Sequence, residues 1–216
     1  MSPFISFEGI EGSGKTTQIQ LLANRLENLG YDVLITREPG GCPIADQIRH
    51  ILLHPDNGRL VPGAELLLYA AARAQHVTEV ITPALEQNKI VLCDRYCDAT
   101  LAYQGYARGL DMQLVQQLND LAAGTCRPNL TLLLDMRPDQ GLHRAQSRNA
   151  IASGPAEGRF ELESLTFHSK VREGYLSLAQ REPQRIKVID AEGTQEQVAK
   201  RIWHTTSEFL TRSGSA

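Results

Sequence analysis

Residues Gly9-Ile10-Glu11-Gly12-Ser13-Gly14-Lys15-Thr16 spell G-x-x-x-x-G-K-[ST]. That pattern restricts both the fold and the ligand. A short apolar run at 4–7 leads in, and residues 16–29 continue at helical spacing. A strand, a glycine loop and a helix in this order free the loop's backbone N–H groups to curl around phosphate oxygens. The helix N-terminus adds partial positive charge. In such a loop Lys15 reaches the outer phosphates of a nucleotide and the Thr16 hydroxyl ligates Mg2+. The expected donor site is therefore Gly9, Ile10, Glu11, Gly12, Ser13, Gly14, Lys15, Thr16 and Thr17.

The rest of the chain supplies the sheet that such a loop requires. Predicted strands at 4–7, 33–36, 90–93, 130–134 and 186–189 alternate with helical patterns at 16–29, 44–53, 64–87, 112–123, 138–148, 162–181 and 194–210. Gly30 is placed to close the first helix, and Pro83 falls near the end of the third. Short apolar strands separated by helices predict an α/β fold: a five-stranded parallel sheet with helices on both faces. Such sheets bind ligands beyond the carboxyl ends of their strands. The 216 residues show no repeat and no low-complexity linker, so 1–216 reads as one domain. The small, polar stretch 149–158 reads as the mobile part of a short lid spanning about 144–160, and the Ser/Gly-rich end at 213–216 as a frayed tail.

Charge and cysteine usage exclude several classes. A net charge of −3 argues against a nucleic-acid coat or a polybasic membrane binder. Seventeen of the 22 basic residues are arginine, whose planar fork suits phosphate oxygens, although base composition alone accounts for such a bias equally well. The four cysteines form no C-x-x-C pair and the six histidines no zinc-binding spacing. No charged leader and no membrane-length apolar run is visible, which predicts a reduced, cytoplasmic protein.

A second carboxylate is expected for the metal. Asp94 closes the run Ile90-Val91-Leu92-Cys93, where an acidic strand end can hold magnesium. Asp135, after Leu132-Leu133-Leu134, competes; Asp94 is preferred because Arg95 follows it. A GTP switch should carry D-x-x-G and then N-K-x-D. Asn88-Lys89-Ile90-Val91 lacks the final aspartate, and Asp190-Ala191-Glu192-Gly193 comes far too late.

Six stretches then carry a resemblance over nearly the whole chain: FEGIEGSGKTTQ (7–18), TREPGG (36–41), LLLYAAARAQH (66–76), DRYCDATLAYQG (94–105), RPNLTLLLD (127–135) and GRFELESLTFHSKVREGYL (158–176). In these the chain resembles bacterial thymidylate kinases. The phosphate loop belongs to a vast superfamily; TREPGG and the Asp-Arg-Tyr segment are far more specific. The resemblance implies a P-loop kinase fold, ATP with Mg2+ as donor, dTMP as acceptor, and a homodimer.

By the same resemblance Arg95 and Arg49 grip the acceptor phosphate. Glu11 contacts the deoxyribose 3′-OH or a neighbouring arginine. Tyr69, at a position usually held by Phe, stacks on thymine, while Arg73 hydrogen-bonds a thymine carbonyl from the same helical face. Thr100 and Gln104 complete base recognition, and Tyr103 crowds the sugar C2′. Ala99 replaces a common Ser. Arg37, Glu38 and Pro39 form a turn, often with a cis bond, whose charges support Glu11 and the metal site. Some thymidylate kinases place a catalytic arginine at position 12; Gly12 stands there here, so Arg144, Arg148 and Arg159 around the lid become the candidate transition-state cations. Two rivals stay open. A nucleoside kinase would need a carboxylate base, which Glu11 can supply, and a slow regulatory NTPase would have no use for a second nucleotide pocket.

Overall fold

The computed structural model describes residues 2–149, 158–212 and 214. Strands β1 (Phe4–Glu8), β2 (Val33–Arg37), β3 (Ile90–Asp94), β4 (Leu130–Asp135) and β5 (Ile186–Asp190) form one sheet in the order β2-β3-β1-β4-β5. Every pairing is parallel. Each strand runs one residue past its predicted end. The ladder continues through polar residues where the apolar pattern stops, pairing Arg37 with Asp94 and Asp135 with Asp190. Those polar ends all lie on the carboxyl edge of the sheet.

Parallel strands need crossovers, and helices provide them. They are α1 (Lys15–Asn28), α2 (Pro43–Leu53), α3 (Pro62–His76), α4 (Thr82–Glu86), α5 (Cys97–Thr100), α6 (Met112–Ala123), α7 (Pro138–Asn149), α8 (Leu165–Arg181) and α9 (Gln195–Arg212). β1 sits in the middle of the sheet and is buried along its whole length. Its side chains alternate between two cores. Ile5 and Phe7 join Ile19, Leu92, Leu132 and Val171, whereas Phe4 joins Val77, Ile81 and Val91 on the other face. Gly30 closes α1 as expected, with φ of 88° and its N–H donating to the Glu27 carbonyl at 2.9 Å.

Three local expectations need correction. The helix expected over 64–87 begins at Pro62 and widens into a π-helical turn, Val77–Ile81, before α4. Pro83 has no N–H to return to the carbonyl four residues back, so the regular ladder cannot pass through it unchanged. The helix expected from 162 begins at Leu165, because Ser164 caps it by accepting from the Phe167 N–H at 3.2 Å; Leu162 belongs to a preceding 3-10 turn (Arg159–Leu162). Finally, helical turns run through α5 and a π-helical stretch, Leu101–Ala107, where no helix was expected.

Candidate active site

β1 ends at Glu8 and α1 begins at Lys15, so the glycine loop spans the carboxyl edge at the centre of the sheet. Gly12 has φ of 70°, and a side chain there would strike the carbonyl of Gly141 on α7. Glycine at this position is therefore what lets α7 rest on the loop. Lys15 curls back over the loop: its Nζ donates to the carbonyls of Gly9 at 3.0 Å and Ile10 at 2.9 Å. Burial, and then the nearby Arg95 charge, pull the ammonium down to about 8.

The structure separates the two metal-ligand candidates. Thr16 Oγ1 donates to Asp94 Oδ2 at 2.9 Å, uniting the two oxygens expected to face magnesium. Asp135 instead receives both arms of Arg172, at 2.7 and 2.8 Å. Its lone pairs are engaged elsewhere.

Two hollows meet over β1, β3 and β2. The first holds Gly12, Lys15, Thr16, Asp94 and Arg37. The second is lined by Pro39, Tyr69, Arg73, Ala99, Tyr103 and Gln104. Glu11, Glu38, Arg49 and Arg95 line both, so the two are one crevice.

Arg95 stands at the junction. Its φ of 69° is the left-handed region, sparsely used by residues with a Cβ. The turn aims its guanidinium at the loop, where it donates to the Gly9 carbonyl at 2.9 Å, Tyr175 Oη at 3.2 Å and Glu11 Oε1 at 3.0 Å. Glu11 Oε1 also accepts from Tyr103 Oη at 2.7 Å. His168 Nδ1 lies 3.1 Å from the other oxygen, short of hydrogen-bond geometry. Burial works against the Glu11 charge, but Arg95, His168 and Lys15 prevail and hold its carboxyl well below the usual carboxylate range. Of the two expected Glu11 contacts, the structure displays the arginine.

The turn at Glu38-Pro39 has the expected cis bond, and its two charged residues each pair with a neighbour. Glu38 does not reach Glu11. It is buried beside α3, where it accepts from Arg73 Nε at 2.7 Å and pairs with His76 at 3.1 Å. Arg37 donates to Asp46 at 3.0 Å, and both line the first hollow. A buried carboxylate takes the nearest buried partners, which α3 supplies in Arg73 and His76.

Arg73 is 1% exposed and gives its remaining nitrogens to Asn119 at 2.6 Å and Thr100 at 3.0 Å. Thr100 thus stands behind Arg73 rather than on the hollow. Burial, reinforced by the Glu65 charge, raises the Tyr69 hydroxyl well above its ordinary value. Arg49 donates to the Pro39 carbonyl at 2.8 Å.

The lid arginines divide. Arg144 is exposed on α7 and lines a hollow with Asp139, Gln140, His143, Glu192 and Gly193. The Arg148 side chain and residues 150–157 lie outside the described residues. Arg159 is buried, donating to the Leu52 carbonyl and to Glu65 at 2.6 Å, and lines neither part of the crevice. Sequence reasoning missed Leu53, Tyr96, Phe160 and Glu161 in the crevice wall. It also missed Glu8 beneath it. That residue is wholly buried and accepts from the Tyr96 N–H and Tyr175 Oη, both at 2.7 Å.

Comparison with known proteins agrees with this geometry. The thymidylate kinase family profile matches residues 7–202. A thymidylate kinase of Syntrophotalea carbinolica is 76% identical over 99% of both chains, and one of Pelobacter propionicus 60% identical over 94% of this chain and 92% of its own. The crystal structure of a thymidylate kinase from Ehrlichia chaffeensis superposes with a TM-score of 0.75 at 36% identity, covering 95% of this chain and 98% of that one. With its phosphate loop, its parallel sheet and these relatives, the chain belongs to the thymidylate kinase family of phosphotransferases.

Proposed function

We propose that this chain transfers the γ-phosphate of ATP to dTMP, giving dTDP, across the junction of the two hollows. The observation that carries this reading is the shared wall: Arg49, Arg95 and Glu11 face both the Lys15 side and the Tyr69–Arg73 side. Two polyanions meeting there need positive groups between them, and Lys15 and the two arginines are so placed.

The acceptor phosphate, with a second pKa near about 6, is mostly a dianion at neutral pH and needs no general base. Glu11 makes a poor base in any case, since Arg95 and Tyr103 bind its carboxylate and its proton affinity is depressed. That weakens the nucleoside-kinase reading. In our reading Arg95 and Arg49 hold the acceptor phosphate, Tyr69 stacks on the base, Arg73 reaches a base carbonyl and Tyr103 closes on the sugar. Catalysis then reduces to in-line positioning, charge neutralisation and exclusion of water.

Thr16 and Asp94 fit Mg2+. Both offer hard oxygens within 2.9 Å of each other, and magnesium beside phosphates uses few protein ligands. Bound there, the ion would neutralise charge on the β- and γ-oxygens. The donor's base would leave over the β4–β5 side, toward the hollow holding Arg144 and Gly193, because the acceptor crevice occupies the β3–β2 side. Arg144 is the lid cation best placed to act, since α7 touches the loop through Gly141. Arg159 would first have to leave Glu65, and Arg148 follows Arg144 by one turn.

We further infer one folding domain with a lid, a homodimer, and a cytoplasmic location. All four cysteines are unpaired, and no described helix is long and apolar enough to cross a membrane. Leu67 on α3 and Leu114 and Leu121 on the adjoining α6 are exposed, as a subunit contact requires. ATP-dependent ADP release measured with dTMP, dUMP, dCMP, AMP, GMP and thymidine tests the activity. dTMP should give the highest kcat/KM; no rate above background with dTMP would end the reading, and preference for thymidine would favour a nucleoside kinase.

A further inference from the structure

Glu65 lies in the first turn of α3, is wholly buried, and does not line the crevice. Its oxygens are nonetheless crowded. Oε1 accepts from Gln104 Nε2 at 2.7 Å, and Oε2 from Arg159 Nη2 at 2.6 Å. Arg108 adds two longer contacts of 3.3 Å. A buried carboxylate is seldom the cheapest way to fill space, since an apolar residue of similar volume is often at least as stabilising. What distinguishes this one is what its partners do. Gln104 lines the acceptor hollow, and Phe160, next to Arg159, lines it too and meets Tyr103 edge-on at 5.3 Å between centroids.

We propose that Glu65 is a specificity-determining positioning residue: by fixing the Gln104 amide and the Arg159–Phe160 turn, it selects which pyrimidine edge the acceptor hollow receives. The proposal rests on reading that hollow as the nucleobase pocket. A glutamine amide has one acceptor oxygen and two N–H donors. Because Glu65 can only accept, it claims an N–H of Gln104 and leaves the carbonyl oxygen as the acceptor available to a ligand. Thymine and uracil carry a donor N3–H, which suits that oxygen. Cytosine carries an N3 lone pair there and an amine in place of the O4 carbonyl. Two acceptors would then face each other, while Arg73, a pure donor, would meet the amine. Rejection comes from groups left unpaired, which discriminates far better than shape alone. Arg159 and Arg108 hold the same carboxylate from the other side, so the turn leading out of the lid and the base-reading amide share one anchor.

The test is the ratio of kcat/KM for dTMP to that for dCMP. Glu65→Gln leaves one acceptor oxygen for two sets of donors; the Arg159 and Arg108 charges hold that oxygen, the new amine faces Gln104 Nε2, and the Gln104 amide must turn over. The ratio should fall roughly tenfold or more while KM for ATP stays as in the unmodified chain. In a Gln104→Ala background the same change should leave the ratio where Gln104→Ala alone puts it, because Glu65 then has no amide to orient. An unchanged ratio in Glu65→Gln, or an equal fall in both backgrounds, would overturn the proposal. Should circular dichroism show Glu65→Gln unfolded, Glu65→Asp takes its place in the same pair of backgrounds: the shortened side chain leaves Gln104 unheld, with the same outcomes decisive. The unmodified chain in the same assay separates the two readings, since failure to phosphorylate dTMP at all strikes at the activity and not at Glu65.

Discussion

Thr16 Oγ1 and Asp94 Oδ2 lie 2.9 Å apart, joining the first turn of α1 to the last residue of β3 at the mouth of the crevice. On the other side of β1, Asp135 ends β4 three residues beyond Leu132, the residue level with Asp94 across Phe7, and is held by Arg172. Both its place in the sheet and its partner keep Asp135 from the Thr16 hydroxyl, so our reading gives the metal to Asp94. Asp94→Asn should lower kcat by on the order of a hundredfold and raise the Mg2+ concentration for half-maximal rate. Asp135→Asn should leave the Mg2+ dependence alone and lower thermal stability instead. A magnesium titration of both variants decides the matter, and a shifted titration in the Asp135 variant would reverse the assignment.

Glu8 predicts a pH dependence of stability. Burial, reinforced by Asp98, pushes its carboxyl up to about 8 from 4.5. Between those values the folded chain keeps a proton that the unfolded chain releases. Unfolding is then favoured as pH climbs through the window, and Glu8 destabilises most above about 8. Lys15, pulled down to about 8, works the other way from about 8 to 10.5, where only the unfolded chain stays protonated. Glu11, held low, contributes stability that is full above about 4.5 and fades in stronger acid. Urea unfolding from pH 5 to 8 should show a declining slope that Glu8→Gln flattens by on the order of 1 kcal/mol or more across the window. An identical slope in the variant would contradict it.

Much of this site was legible because backbone geometry and burial restrict residue types. The loop needs glycines wherever φ turns positive or α7 comes close, and central parallel strands, covered on both faces, read as unbroken apolar runs. The illegible parts are buried polar contacts closed only by the fold. Arg159 and Glu65 are 94 positions apart, and nothing near either names the other. Glu8, Tyr175 and His168 meet beneath Arg95 and Glu11 from β1 and α8. Glu38, in a charged Pro-Gly turn, gave no sign that it would fold inward to Arg73 and His76. The π-helical stretch Leu101–Ala107 is buried over most of its turns, so it presents neither a 3.6-residue nor a two-residue stripe.

Gly12 sets a steric prediction. Its positive φ and its contact with Gly141 both resist a side chain. Gly12→Arg should therefore not raise activity. The substitution should push α7 off the loop, cost about 1–3 kcal/mol and lower kcat. Gly141→Ala should produce a milder version of the same loss, since its methyl would meet the Glu11 carbonyl at 2.5 Å. Calorimetry paired with steady-state rates checks both.

Leu114 and Leu121 are seven positions apart on α6 and share one face, with Leu67 exposed on the adjoining α3. If that face is the subunit contact, Leu121→Glu should bury an unpaired charge there and shift sedimentation from dimer to monomer at micromolar concentration. Sedimentation velocity unchanged from the parent chain would move the contact elsewhere.

Arg73→Lys tests why the pocket uses a guanidinium. Glu38, Asn119 and Thr100 each take a different nitrogen of Arg73, at 2.7, 2.6 and 3.0 Å, in a site 1% exposed. An ammonium is a single point of charge and cannot meet three partners spread around a plane. At least one buried acceptor would be left unpaired, at about 1–3 kcal/mol of stability. The pocket would also lose the donor that our reading gives to a base carbonyl, so KM for dTMP should rise tenfold or more, with KM for ATP little changed. Equal rises in both constants would mean that Arg73 serves the fold of the whole crevice and not recognition of the acceptor base.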